Sequence, residues 1–91
     1  MNVMAWRVEI LPAAQRAIQK LASADAMRIT AFIDRRLSGA ADPFGFGKAL
    51  TGRLKGRWRY RVGDFRIIAK IERDRLVILV VAVAHRSAVY R

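Results

Sequence analysis

Basic side chains alternate with aromatic ones over a short stretch in the second half of the 91-residue chain. Residues 57–62 read RWRYRV, so Arg57, Arg59 and Arg61 stand at every second position. Because successive side chains of a β-strand point to opposite faces, a strand here directs three guanidinium groups to one face and the aromatic rings to the other. Guanidinium groups bind phosphate through paired hydrogen bonds. The stretch therefore predicts a strand with a core-facing side and a cationic side.

A two-residue turn, Gly63-Asp64, follows this strand, and its glycine supplies the positive φ that such turns need. Folding the chain at this turn places Arg61 directly opposite Arg66 on the next strand. Like charges at directly opposite positions destabilise a sheet, on the scale of about 0.2–1 kcal/mol. An anionic ligand would remove this repulsion, so the register predicts an anion-binding site at the hairpin.

Further basic and titratable side chains follow the last predicted strand, in His85, Arg86 and Tyr90. In RNA the neighbouring 2′-hydroxyl can attack phosphorus, which leaves charge stabilisation as the main task of the protein. Tyr90 is a candidate general base, because nearby positive charges would lower the pKa of its phenol from about 10. His85 is the other candidate that titrates near neutral pH. Both have a structural alternative, since Tyr90 could pack on the sheet edge and His85 could simply end a strand.

The composition favours a polyanionic partner. Residues 52–91 carry eleven basic and three acidic side chains (+8), residues 1–51 carry seven and four (+3), and the total is +11. A basic, arginine-rich field of this kind is typical of nucleic-acid binding. One histidine and no cysteine exclude the usual metal-ligand sets, and the scattered carboxylates argue against two-metal and paired-carboxylate hydrolases. We therefore expect neither a metal nor a cofactor.

The first half of the chain predicts a strand followed by two amphipathic helices. Residues 6–10 alternate apolar and charged side chains, and Pro12 suits the first turn of a helix. Apolar side chains then recur at helical spacing, first in Leu11, Ala14, Ile18 and Leu21 and later in Ile29, Phe32, Ile33 and Leu37. Ser23 is expected to cap the second helix and Gly39 to end it.

A glycine-containing connector and a hairpin of long strands complete the pattern. Residues 40–52 predict a loop, with Phe44 or Phe46 packed on the core. After a turn at Arg73-Asp74, residues 76–84 are apolar on both faces, which indicates an internal strand. The element order is β-α-α-β-β-β, an α+β fold in one domain spanning residues 1–91.

Membrane insertion is not expected. The longest apolar run, residues 76–84, is much shorter than the roughly 20 residues that span a bilayer. Arg7 and Glu9 interrupt any signal-like apolar segment near the N-terminus. We expect a cytoplasmic protein with no membrane partner.

Taken together, these residues resemble the RelE/ParE superfamily of bacterial toxin–antitoxin toxins. The resemblance rests on three segments and on the preceding β-α-α order: WRYRVGDFRII at 58–68, LVILVV at 76–81 and HRSAVYR at 85–91. It implies two N-terminal helices packed on a small, mostly antiparallel four-stranded sheet. It also implies a cognate antitoxin that binds and neutralises the toxin. RelE-like members of this superfamily cut mRNA at the ribosome, whereas ParE-like members poison DNA gyrase.

The residues favour the RelE-like branch. Its members carry basic side chains on the first hairpin strand, an arginine just after the turn, another after the last strand, and a tyrosine near the C-terminus. The matching positions here are Arg59, Arg61, Arg66, Arg86 and Tyr90. The resemblance thus implies a metal-free, ribosome-dependent mRNA endoribonuclease with these five residues in the catalytic site.

Other residues are expected to support that site. His85 is a candidate general base, because an arginine is a poorer proton donor or acceptor than the lysine some members carry on the first hairpin strand. Arg57, Lys70 and Lys55 are expected to attract RNA or the ribosome. A ParE-like gyrase inhibitor that acts by binding is the alternative, and an RNA-binding protein without catalysis is a third interpretation.

Overall fold

A five-stranded sheet with two helices on one face forms the structure, a computed structural model that describes residues 5–88. The helices are α1, Pro12–Gln19, and α2, Ser23–Phe32. The strands are β1 (Arg7–Ile10), β2 (Lys48–Ala49), β3 (Arg57–Val62), β4 (Phe65–Glu72) and β5 (Val77–His85). Their spatial order is β1-β5-β4-β3-β2, with β1 parallel to β5 and all other pairs antiparallel. The predicted α+β architecture is confirmed, and β5 is an internal strand as expected.

The strand count differs from the prediction, because the sheet has five strands and not four. The additional strand, β2, lies inside residues 40–52, which the sequence assigned to a loop. Lys48 pairs with Arg59 and Ala49 with Trp58, and the backbone N–H of Leu50 donates to the carbonyl of Arg57 at 3.0 Å. A strand of two residues has no periodicity of its own, so the position of β3 beside it determines the pairing.

The second helix begins without the expected cap. Ser23 is its first residue, Ala22 occupies the capping position, and no side chain accepts a hydrogen bond there. The prediction for Ser23 is therefore wrong. At its other end α2 runs into a π-helical turn, Ile33–Leu37, and Gly39 follows with a φ of 78°. The N–H of Gly39 donates to the carbonyl of Trp6 at 2.8 Å, which joins this end of the helical segment to β1.

The core lies between the helices and one face of the sheet. Its fully buried side chains come from both layers: Ala14, Ile29 and Leu37 from the helical segment, and Tyr60, Ile67, Ile78 and Val80 from the strands. Trp58 packs against the same cluster. The prediction that Trp58 and Tyr60 face the core is confirmed.

The connector before β2 is held to the core by aromatic rings. Phe44 meets Trp58 edge-on with ring centroids 5.0 Å apart, and the rings of Phe46 and Tyr60 lie 5.3 Å apart. Both predicted phenylalanines therefore contact the core. Within residues 5–88 no helix has the length and apolar character needed to cross a bilayer.

We expect Gly47→Ala to destabilise the protein, because the added methyl group would overlap the Trp58 indole and lie 2.7 Å from the Tyr60 ring. Overpacking of this kind costs about 1–3 kcal/mol. Urea denaturation measures the loss. Gly45→Ala is the matched control in the same loop, since its methyl group would meet only Asp42, at 3.3 Å. Equal losses for the two variants would contradict the tight packing at Gly47.

Candidate functional site

The β3–β4 hairpin has the register that the sequence predicted. Gly63 adopts a φ of 59° in the two-residue turn, and Val62 pairs with Phe65. Arg61 lies directly opposite Arg66. Because directly opposite residues share a face, both guanidinium groups are on the side of the sheet that faces away from the helices.

This side of the sheet carries three cross-strand pairs of like charge. Lys48 on β2 is opposite Arg59, Arg57 is opposite Lys70, and Arg61 is opposite Arg66. We call the surface formed by these six side chains the cationic face. The sequence predicted one of the three pairs and missed Lys48 altogether, because β2 was not recognised. Like charges at directly opposite positions disfavour the sheet on the scale of about 0.2–1 kcal/mol a pair.

Arg66 is the buried member of the cationic face. Its relative exposure is 8%, and it is the charged residue in the buried set of residues 5–88. Its Nη1 donates to the carbonyl of Phe65 at a long 3.4 Å, and its Nε has no hydrogen-bond partner within the described chain. A guanidinium group removed from water needs partners for its donors. An anion at Arg66 would supply them.

Arg86 lies at the hairpin end of the sheet. Its backbone N–H donates to the carbonyl of Asp64 at 2.8 Å, so it is attached to the β3–β4 turn. Its Nε is 3.9 Å from the Asp64 carboxylate, and both side chains are more than 60% exposed. Such an exposed pair is weak. The guanidinium group of Arg86 is therefore exposed and only weakly paired at the hairpin end of the sheet.

The structure does not bring His85 to the cationic face. His85 pairs with Phe65, and the two rings meet edge-on at 5.5 Å. Phe65 packs against the core cluster on the helix side of the sheet. The Nδ1 atom of His85 accepts from the backbone N–H of Ser87 at 3.2 Å. His85 thus stands on the opposite side of the sheet from Arg66.

A β-bulge between Ile68 and Ala69 explains this position. If the register at Glu72 and Val77 continued without the bulge, Phe65 would pair with Ala84. His85 would then face the same way as Arg66. The bulge adds one residue to β5, and a shift of one residue reverses the face of every side chain beyond it. The sequence gives no sign of the bulge, because β5 is apolar on both faces.

The two tyrosines differ in what the structure shows. Tyr90, the predicted base, lies outside the described residues. Tyr60 is buried, and its hydroxyl donates to the carbonyl of Pro43 at 2.6 Å. Burial raises the pKa of Tyr60, and the nearby negative charge of Asp42 raises it further. Tyr60 is therefore a neutral phenol of the core and not a proton acceptor.

The remaining predicted residues differ in position. Arg57 and Lys70 belong to the cationic face, whereas Lys55 is exposed in the turn that precedes β3. Among residues 5–88, no three histidine or carboxylate side chains are grouped so that they could hold a metal ion.

Comparison with known proteins agrees with this fold. The sequence profile of the ParE toxin of the type II toxin–antitoxin system parDE matches residues 8–90. The chain belongs to the ParE toxin family. This toxin is thus a member of the RelE/ParE superfamily, as the sequence predicted. No curated protein matches it significantly in a sequence search.

Solved structures with the same fold include RelE and complexes of RelE-type toxins with their antitoxins. The RelBE2 complex of Mycobacterium tuberculosis aligns with a TM-score of 0.82 at 24% identity, over 94% of this chain and 97% of that one. The RelE–RelB complex of Pyrococcus horikoshii OT3 aligns with a TM-score of 0.69 at 25% identity, over 93% and 99%. The isolated RelE toxin of Escherichia coli aligns with a TM-score of 0.64 at 11% identity, over 94% and 89%. The toxin therefore shares its fold with RelE.

We expect Tyr60→Phe to lower the free energy of unfolding at pH 7 by about 1–2 kcal/mol, because the buried Pro43 carbonyl loses its donor. The raised pKa adds a pH dependence. Above about pH 10 the unfolded tyrosine ionises and the folded one does not, so wild-type stability falls with rising pH. The phenylalanine of the variant cannot ionise, and the difference between the two proteins should shrink above about pH 10. A difference that stays constant between neutral and strongly alkaline pH in urea denaturation would contradict the buried phenol.

We expect Arg61→Gln to stabilise the toxin slightly, because it removes the repulsion opposite Arg66. The gain should be about 0.2–1 kcal/mol at low salt and should diminish in about 1 M salt, where charges are screened. Thermal denaturation at the two salt concentrations measures it. Arg16→Gln on α1 is the control for loss of one positive charge away from the sheet. A gain no larger than that of the control would show that the Arg61–Arg66 pair is not repulsive.

Proposed function

We propose that this toxin is an mRNA endoribonuclease that inhibits translation at the ribosome and needs no metal ion. The catalytic residues in this proposal are Arg59, Arg61, Arg66, Arg86 and Tyr90. The observation that carries it is the cationic face, whose three like-charge pairs include the buried guanidinium group of Arg66. The shared fold with RelE supports it.

The proposed reaction is attack of a ribose 2′-hydroxyl on the adjacent phosphorus. Negative charge increases on the non-bridging oxygens as the new P–O bond forms and the bond to the 5′-oxygen breaks. Donors fixed at the position where that charge develops lower the barrier, above all in a site with little water. Arg61 and Arg66 are placed side by side for this task. Arginine keeps its proton, so these residues bind and neutralise the phosphate and do not act as bases.

Proton transfer is assigned to Tyr90. The other tyrosine, Tyr60, is a buried donor to Pro43, and His85 is on the helix side of the sheet. Neither side chain lies on the cationic face. Positive charge lowers the pKa of a phenol, so the proposal requires arginines near Tyr90 that increase the fraction of its phenolate form. Arg86 is available to stabilise the leaving 5′-oxygen, because it is held at the hairpin by its backbone.

A cognate antitoxin is the proposed protein partner. The structures from M. tuberculosis and P. horikoshii are complexes of a RelE-type toxin with its RelB partner. A chain of net charge +11 favours an acidic partner. In this proposal the antitoxin silences the toxin in the cytoplasm until it is removed.

A second candidate function is inhibition of DNA gyrase by binding. It is favoured by the ParE family profile that matches residues 8–90. In that case a protein surface of the toxin contacts the enzyme, and the chemistry of the cationic face is not required. The two candidates therefore differ in their dependence on Arg66 and Tyr90.

We expect Arg66→Gln to reduce the cleavage of ribosome-bound mRNA about 10²–10³-fold, the usual loss when one stabilising donor is removed from the transition state. The assay adds antitoxin-free toxin to a translating extract and maps the RNA ends. Tyr90→Phe should also lose cleavage, because it removes the proposed base. Arg16→Gln on α1 is the control, with the same change in charge and full activity expected.

Two results would contradict the ribonuclease. The first is a wild-type toxin that leaves all messages intact in the translating extract. The second is growth arrest by Arg66→Gln and Tyr90→Phe variants that equals the wild-type arrest. Arrest of that kind together with gyrase-dependent DNA breaks would establish the second candidate function instead.

A further inference from the structure

Two glutamates occupy the side of the sheet that carries the cationic face. Glu9 on β1 and Glu72 on β4 are the acidic residues on the strands that the structure describes. Glu72 is two residues from Lys70 on the same strand, so both side chains point to the same side. Glu9 and Lys70 are both paired with Leu79 and therefore share this side too. Two negative charges thus border the cationic face next to Lys70.

Both carboxylates are bound by arginines. Arg75 donates from Nη1 to Glu72 at 2.6 Å and from Nη2 to Glu9 at 3.4 Å. Arg7 donates to the same oxygen of Glu9 at 3.1 Å. Arg75 therefore joins β1 to the end of β4 through both of its terminal nitrogens. By contrast, no ion pair within residues 5–88 is formed by five basic side chains of the cationic face: Lys48, Arg57, Arg61, Arg66 and Lys70.

We propose that Arg75 is a positioning residue that holds Glu9 and Glu72 away from Lys70 and so keeps the cationic face open to a polyanion. The inference rests on the proposed function only in that an RNA strand binds this face. Without Arg75, the nearest cation on the strand of Glu72 is Lys70, and Glu9 lies in the same cross-strand row as Lys70. Glu72 would then lose its arginine partner, and Glu9 would be held by Arg7 alone. The added negative charge beside Lys70 would partly neutralise this end of the face and repel the ligand.

The ion pairs of Arg7 and Arg75 with Glu9 and Glu72 contribute little to the stability of the fold. Arg7 and Arg75 are 63% and 52% exposed, and Glu9 is 41% exposed. Ion pairs at such exposure contribute little to stability. The network does have a backbone cost, since Leu76, the residue after Arg75, has a φ of 53°, a conformation that residues other than glycine rarely adopt. The carbonyl of Leu76 accepts from the N–H of Arg7 at 2.9 Å, so the turn brings the two arginines together at Glu9.

A double-mutant cycle tests the inference with the full-length toxin purified free of antitoxin. The probe is a short single-stranded 2′-O-methyl RNA, which cannot be cleaved and so reports binding alone. Its Kd is measured at low and at physiological salt for the wild type, for Arg75→Gln, for Glu9→Gln/Glu72→Gln and for the triple variant. Arg73→Gln is the matched control. Arg73 is in the same turn and carries the same charge, but it lies over the Phe44 ring at 4.2 Å and not on a glutamate.

The expected result is non-additive. Arg75→Gln should weaken binding by about 10-fold at low salt and Arg73→Gln by about 2-fold, because only the first also releases Glu72 and leaves Glu9 bound by Arg7 alone. Replacing both glutamates should improve binding by less than about 2-fold when Arg75 is present and by about 5-fold when it is absent. Arg75→Lys should be intermediate, since a lysine keeps the charge but cannot bind two carboxylates with a planar fork.

Equal gains from the glutamate replacements in both backgrounds would overturn the inference, and so would equal losses for Arg75→Gln and Arg73→Gln. Thermal denaturation of each variant confirms that folded proteins are compared. The outcome is separable from that of the ribonuclease proposal. If the wild type cleaves mRNA and the double-mutant cycle is additive, only the role of Arg75 is contradicted. If the cycle is non-additive and the wild type does not cleave, the ribonuclease is contradicted and the role of Arg75 stands.

Discussion

The register of the β3–β4 hairpin is the constraint on which the rest of the structure depends. One pairing pattern buries Tyr60 against Ile67 on the helix side and places Arg61 against Arg66 on the other. Burial of each large apolar side chain stabilises the fold by about 1.5–3 kcal/mol, whereas each like-charge pair costs about 0.2–1 kcal/mol. Burial therefore dominates, and a slip of one residue would bring arginines into the core. The hydrophobic face imposes the crowding of the cationic one.

Packing on the helix side also determines which cations meet on the other side. Tyr60 binds the carbonyl of Pro43, and Phe44 packs on Trp58, so the connector is fixed against β3. The connector then leads into β2, which places Lys48 opposite Arg59. Gly47 is required just before this pairing, since any side chain there would overlap the Trp58 ring. Contacts on the core side of β3 thus add one positive charge to the cationic face.

Sequence reasoning succeeded where alternation is strong and failed where it is absent. The two-residue turn and the alternation of arginine with aromatic residues were enough to predict the pairing of Arg61 with Arg66. The same logic could not find β2, because two residues have no period. It also misplaced His85, because β5 is apolar on both faces and the bulge leaves no mark on such a sequence. The network around Arg75 was missed for a different reason: it joins residues 66 positions apart, and only the parallel pairing of β1 with β5 brings them together.

The shape of the cationic face favours a linear polyanion over an acidic protein surface. Alternate residues of a strand are about 6.5–7 Å apart, and opposite residues of neighbouring strands about 4.5–5.5 Å. The cations therefore form a central row on β3, with Lys48 beside it on β2 and with Lys70 and Arg66 beside it on β4. A chain of phosphates that follows the hairpin axis can lie along the central row and approach the three pairs in turn. The most buried cation, Arg66, is at the hairpin end of this row, where Arg86 also lies. The cation most shielded from water is therefore at one end of the central row. In the proposed ribonuclease, one phosphate reacts at this end while the others only hold the strand in place.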